Sequence, residues 1–214
     1  MFFSCAINHV LFDYNVFIKS NGSRIVPEKV YLSSQELLND SFTLGAQIIK
    51  SGFRPSFIIA IWRGGTPIGI AVQEFLDYFG VKADHIAIRT SSYNTSHERS
   101  DDIRVHGLNY LIKNIEADDA LLIVDDVFDT GITIQTVINQ LRSKARANCP
   151  SDIRVAVPWY KPEHNRTDRE PDYFIHTTNR WLKYPFSLEG LSIEEVKQNR
   201  PDIFKIIQPV INEN

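Results

Sequence analysis

Cysteine is nearly absent: only Cys5 and Cys149 occur in 214 residues. Two such distant residues make neither a disulfide framework nor a thiolate metal site, and a reducing, cytoplasmic compartment is the expectation that follows. An excess of one charge is also lacking. Twenty-three basic residues stand against 26 acidic ones, a formal net charge of −3, so no global field draws the chain to nucleic acid or to an anionic membrane. Long apolar runs are missing too. The longest, residues 57–62 and 120–124, have the length of strands and not of membrane spans. The apolar opening, residues 1–12, has no basic flank and no small-residue cleavage pattern, and is not read as a signal peptide. No internal repeat and no low-complexity tract is found. What remains, with 43% hydrophobic and 23% charged residues, is ordinary globular usage in a chain long enough to bury a core.

The first thirty residues carry no recognisable chemistry, and Asn21-Gly22-Ser23 is turn-like. From Tyr31 the pattern becomes regular. Ser33-x-x-Glu36 is a capping box ahead of helically spaced Leu37, Leu38, Leu44, Ile48 and Ile49, with Gly52 and Pro55 ending the helix. Residues 57–61 predict a strand buried on both faces. A helix follows over 67–79, closed by Gly80, then a short strand over 85–89 and a strongly apolar one over 121–124. A helix over 131–144 and strands over 153–157 and 173–176 complete the alternation. Strands alternating with helices predict an α/β fold, a mostly parallel twisted sheet flanked by helices. Two polar stretches, 90–106 and 158–171, break the rhythm and read as loops. A last short helix is expected over 192–198, stopped before Pro201.

In such sheets ligands sit beyond the carboxyl ends of the strands. The densest chemistry there is Leu121-Leu122-Ile123-Val124-Asp125-Asp126-Val127-Phe128-Asp129-Thr130-Gly131-Ile132-Thr133. A buried strand delivers two adjacent carboxylates to its end, and a third follows in a turn. Thr130, Gly131 and Thr133 then open a helix whose free amides and hydroxyls suit a phosphate. Carboxylates repel phosphate but suit sugar hydroxyls or the water shell of Mg²⁺. The string therefore describes a phosphorylated ribose. Capping alone would need one such residue, not six. A Walker B strand also ends in acids, but no GxxxxGK[ST] occurs. A receiver domain needs a further aspartate at a strand end, whereas Asp172 precedes its strand.

Three further clusters follow strands. Arg63-Gly64-Gly65 exposes backbone amides and a guanidinium to an anion. Ser91-Ser92-Tyr93 opens the first polar stretch, too polar to bury itself. Lys161 comes just past a strand, and the aromatic-rich Arg180-Trp181-Leu182-Lys183-Tyr184-Pro185-Phe186 lies outside the main pattern. A stacking face and a few rim donors are what a planar base requires.

The acidic string resembles the phosphoribosyl-diphosphate (PRPP) signature of the type I phosphoribosyltransferases, and the other clusters resemble the bacterial hypoxanthine and xanthine-guanine members. The resemblance spans residues 31–186, a core with a small hood, and leaves 1–30 as an extension and 187–214 as a tail. It implies transfer of 5-phosphoribosyl from PRPP to a 6-oxopurine (hypoxanthine, guanine or xanthine) in purine salvage, with Mg²⁺. Asp125 and Asp126 would hold the ribose and, mostly through water, the metal. Asp129, Thr130, Gly131, Ile132 and Thr133 would seat the 5′-phosphate, with Asp129 also exchanging a proton with N7 of the base. Arg63, Gly64 and Gly65 would bind the diphosphate, with a cis peptide at Arg63–Gly64. Ser91, Ser92 and Tyr93 would begin a closing lid. Lys161 would read the 6-oxo group while Trp181 and Leu182 frame the base. Trp62 is bulkier than the residue usual at its position, and Phe186 replaces a tryptophan. The family also implies a homo-oligomer, dimer or tetramer, with no nucleic-acid or membrane partner. The alternative is a regulator that keeps this fold to sense PRPP or nucleotides, or a transferase for another base.

Overall fold

The computed structural model describes residues 17–18, 24–25, 29–95 and 98–212, with side chains described for 29–91 and 103–212. The elements in chain order are β1 (Phe17–Ile18), β2 (Arg24–Ile25), β3 (Lys29–Tyr31), α1 (Ser34–Lys50), β4 (Phe57–Trp62), α2 (Gly65–Tyr78), β5 (Asp84–Thr95) and β6 (Glu98–His106). They continue with α3 (Asn109–Asn114), β7 (Ala120–Val124), β8 (Val127–Phe128), α4 (Ile132–Ala145), β9 (Asp152–Tyr160), β10 (Tyr173–Thr177), β11 (Trp181–Lys183), α5 (Ile193–Asn199) and α6 (Pro201–Asn212). Among the described residues no helix is long and apolar enough to cross a membrane.

Two compact units are present. The larger, Ser33–Asn179, is built on a seven-stranded sheet ordered β10-β9-β7-β4-β5-β6, with β8 paired to β9. All of these pairings are parallel except β5 with β6. The strand β7 shows why its sequence belongs in the middle. Leu121 and Ile123 pack in a core with Ile134, Val137, Ile138 and Leu141 of α4. Alternation sends Leu122 and Val124 to the opposite face, and they too are fully buried. The expected α/β architecture is therefore the observed one.

Helix α1 starts as its sequence dictates. Glu36 N donates to Ser33 Oγ at 3.1 Å, and Ser33 N donates to Glu36 Oε2 at 2.9 Å, which satisfies two amides of the first turn. Other boundaries differ from expectation. The strand expected over 85–89 runs to Thr95 and pairs with β6. Most of the polar stretch 90–106 is thus a two-stranded arm instead of a loop, because ladder bonds need no apolar side chains. Helix α2 begins at Gly65 rather than at residue 67. The second polar stretch shortens likewise: β9 continues to Tyr160, and Pro162–His164 forms a 3-10 turn.

The smaller unit comprises Met1–Leu32 with Arg180–Asn214. The expected divisions after residues 30 and 186 both fall inside it. Its described residues pair β3 with β11 in parallel, Trp181 opposite Lys29 and Lys183 opposite Tyr31. The short helix expected over 192–198 is α5, started by a capping box of Ser192 and Glu195. Pro201 does not end the helical tail but opens α6, the first-turn position where proline's missing N–H costs nothing. Buried Arg200 donates to the carbonyls of Lys183, Tyr184, Pro185 and Ser187. The turn expected at Asn21-Gly22-Ser23 lies outside the described residues.

Candidate active site

Three neighbouring parallel strands, β4, β7 and β9, end on the same edge of the sheet. Each delivers one part of the expected constellation. Strand β7 ends in Asp125 and Asp126, β4 leads into Arg63, Gly64 and Gly65, and β9 leads into Lys161.

The glycines of the second loop bring it against the acidic pair. A Cβ on Gly64 would run into the carboxylate of Asp126. One on Gly65 would lie 2.5 Å from Val124 O and 2.8 Å from the Asp125 Cα. No side chain fits at either position, so the backbone itself forms the wall. Arg63 is exposed beside it. The cis peptide bond lies one residue earlier than expected, at Trp62–Arg63 instead of Arg63–Gly64. Trp62 is exposed. Thr66 Oγ1, in the first turn of α2, is buried without a hydrogen-bond partner among the described residues. Sequence reasoning passed it over, since only burial distinguishes it from any other helix-start threonine.

Asp125 and Asp126 keep partial solvent contact, yet protein packed around the carboxyls governs their ionisation. Burial, joined by repulsion from Asp126, pushes Asp125 well above the usual carboxylate range. Burial raises Asp126 to about 6, against the pull of its hydrogen bonds and of the positive Lys161. Adjacent carboxylates held under such a penalty favour a cation or sugar hydroxyls opposite them. Among the described residues, no group of three His, Cys, Asp or Glu side chains is placed to hold a metal ion. A pair fits Mg²⁺ only where water and substrate oxygens complete its shell, which is the mode expected from sequence.

Gly131 adopts φ 77° and caps α4. Its missing Cβ makes room for Thr167 Oγ1, Phe128 and Asn165 Oδ1, all within 2.9 Å of where that atom would stand. The turn is tied down by Arg166 N donating to Thr130 O at 3.0 Å and by Gln135 N donating to Gly131 O at 3.0 Å. Asp129, Thr130, Ile132 and Thr133 surround the start of α4, all half-buried. The first amides of such a helix have no intrahelical acceptor, and the helix dipole favours an anion there.

Lys161 is anchored by its own N–H, which donates to Phe128 O at 2.9 Å. Its Nζ donates to Asp129 Oδ2 at 3.0 Å from a side chain only 6% exposed. His164 Nδ1 meets the other oxygen, Asp129 Oδ1, at 2.8 Å. His164 was not singled out in the sequence, because it falls in a stretch read as loop. Its signal is position: the 3-10 turn after Lys161 brings it back to Asp129 in the β8–α4 loop.

Ser91 is half-buried in β5, with Oγ 3.5 Å from His106 Nε2. Ser92 pairs with Ile103, and Tyr93 lies at the register shift that follows. Trp181 and Leu182 form part of β11 in the smaller unit, where Lys183 Nζ lies 5.8 Å from the Trp181 ring centroid.

Comparison with known proteins places the chain in a family. Residues 29–189 match the phosphoribosyl transferase domain family. Among solved structures, a purine phosphoribosyltransferase from Pyrococcus horikoshii is 25% identical with a TM-score of 0.57, covering 74% of this chain and 93% of its own. A hypothetical protein from Neisseria gonorrhoeae with bound ppGpp is 18% identical with a TM-score of 0.64, covering 85% of this chain and 98% of its own. A hypoxanthine phosphoribosyltransferase from Trypanosoma cruzi complexed with IMP is 22% identical with a TM-score of 0.56, covering 71% and 77%. No curated protein matches the sequence. Three strand ends carrying a glycine wall, an acidic pair and a buried lysine thus stand in a chain that belongs to the phosphoribosyl transferase domain family, with the type I phosphoribosyltransferase fold.

Proposed function

We propose that the protein transfers 5-phosphoribosyl from PRPP to a 6-oxopurine (hypoxanthine, guanine or xanthine), giving a nucleoside monophosphate and diphosphate. The observation that carries this reading is the glycine wall of Gly64 and Gly65 set directly against Asp125 and Asp126. A diphosphate seat and a ribose seat so joined suit a substrate in which the two groups share one carbon. Arg63 and the loop amides would take up the negative charge that grows on the departing diphosphate. Asp125 and Asp126 would hold the ribose hydroxyls and, mostly through water, Mg²⁺. Bound there, Mg²⁺ would supply neutralisation of the leaving group. The start of α4, from Asp129 to Thr133, would anchor the 5′-phosphate. Asp129 would receive the proton that the base loses as its ring nitrogen bonds to the sugar. Lys161 would meet the 6-oxo group, Trp181 and Leu182 would frame the ring, and the β5–β6 arm beginning at Ser91, Ser92 and Tyr93 would exclude water.

The test is diphosphate release from PRPP and Mg²⁺ with each purine in turn. Release with a 6-oxopurine and none with adenine is expected, and release should stop when EDTA removes the metal. The second reading is a nucleotide-sensing regulator on the same fold, for which the ppGpp bound to the Neisseria relative is the pointer. It requires tight ppGpp binding with no diphosphate release from any base.

A further inference from the structure

Asp129 is gripped from both sides. Lys161 Nζ donates to Oδ2 at 3.0 Å, and His164 Nδ1 lies 2.8 Å from Oδ1. A carboxylate only accepts, so toward it Nδ1 carries the proton. The two partners come from a single short segment, Lys161 just past the end of β9 and His164 at the end of the 3-10 turn that follows. They differ in surroundings: the lysine side chain is 6% exposed and the imidazole 42%. Only the lysine belongs to the motif that the sequence pointed to. The histidine sits where the segment after β9 folds back over the acidic turn, and among the described residues its ring makes no other hydrogen bond.

One donor leaves a carboxylate free to rotate about its Cβ–Cγ bond. Donors on both oxygens fix the plane of the group, and each oxygen keeps a further lone pair for a ligand. A proton acceptor in that state meets its partner without first reorganising, and small losses of such alignment are costly in rate.

We propose that His164 is a positioning residue that acts through Asp129: with Lys161 it clamps the carboxylate in the plane from which it takes the proton of the incoming base. This role rests on the transfer reaction proposed above. The chemistry requires a donor at the δ position of residue 164 and nothing more of the imidazole. His164→Asn keeps a donor at that place, whereas His164→Gln moves it one bond outward and His164→Ala removes it.

The experiment is steady-state diphosphate release by the full chain, wild type and three variants, with PRPP and the base the wild type prefers. His164→Ala and His164→Gln are expected to lower kcat roughly 10- to 100-fold, with KM for PRPP unchanged. His164→Asn should recover most of the loss. A merely structural histidine would not separate Asn from Gln, nor kcat from KM. Wild-type kcat in His164→Ala, or an Asn variant no better than Ala, would overturn the positioning role alone. A wild type that is inert with every base overturns the reaction on which the role depends, and the role with it.

Discussion

Gly64 shows how closely residues are matched here. Its place against the Asp126 carboxylate leaves no room for a methyl group, so Gly64→Ala must move the loop or the acid. The expected result is loss of about 1–3 kcal/mol of stability, read from the urea midpoint, together with loss of diphosphate release. The acidic pair makes the opposite prediction for stability. A carboxyl raised to about 6 keeps its proton in the folded state where the unfolded chain, near 3.8, has already lost it. Stability therefore falls as pH rises from the unfolded value through the folded one, and is regained below that window. Asp126→Asn should raise the urea midpoint at about pH 8, and the gain should fade toward about pH 4, while transfer activity is lost. Asp129→Asn keeps the size of the side chain but not its basicity. Turnover is expected to drop by roughly 10²–10⁴ with PRPP still bound, measured by pairing kinetics with calorimetry. Asp125, Asp126, Asp129 and Gly131 were legible because they are adjacent in sequence. Thr66 and His164 were not, since what marks them is a buried hydroxyl and a contact across 35 positions.

Elements were legible where apolar spacing or capping chemistry governs them. The box at Ser33 and Glu36 and the run through β7 are of that kind. The outer half of β5, with Thr90, Ser91, Ser92, Asn94 and Thr95, has no such signature; its strand exists through pairing with β6. Helix α3 has six residues, too few for a period to stand out. The pairing of β3 with β11 joins two three-residue strands from opposite ends of the sequence, which no local pattern announces. The β5–β6 arm offers a direct test of water exclusion. Ser92 and Ile103 face one another, so replacing residues 93–102 with Asn-Gly closes the arm by a two-residue turn. Hydrolysis of PRPP relative to transfer is expected to rise, measured as ribose 5-phosphate formed per nucleotide.

At the scale of the whole molecule, the two units rest on different physics. The larger is held by an apolar core around β7. The smaller relies heavily on polar ties: Arg200 feeds four carbonyls, and Lys29 and Tyr31 meet Glu195. Arg200→Met would leave those carbonyls without their donor, a loss of roughly 1–3 kcal/mol for each that stays buried. Faster amide hydrogen exchange across residues 181–200 is the expected sign.

The glycine wall, the acidic pair and the lysine come from β4, β7 and β9, three strands that are neighbours in space and scattered between residues 62 and 161. No short fragment contains them. The edge group is therefore complete only once the long-range pairings of the sheet are made. A ligand that bridges the three strand ends would bind the native state alone and raise its stability by mass action. Substrate would then act as a clasp on the sheet, and protection of β4, β7 and β9 against unfolding would track occupancy.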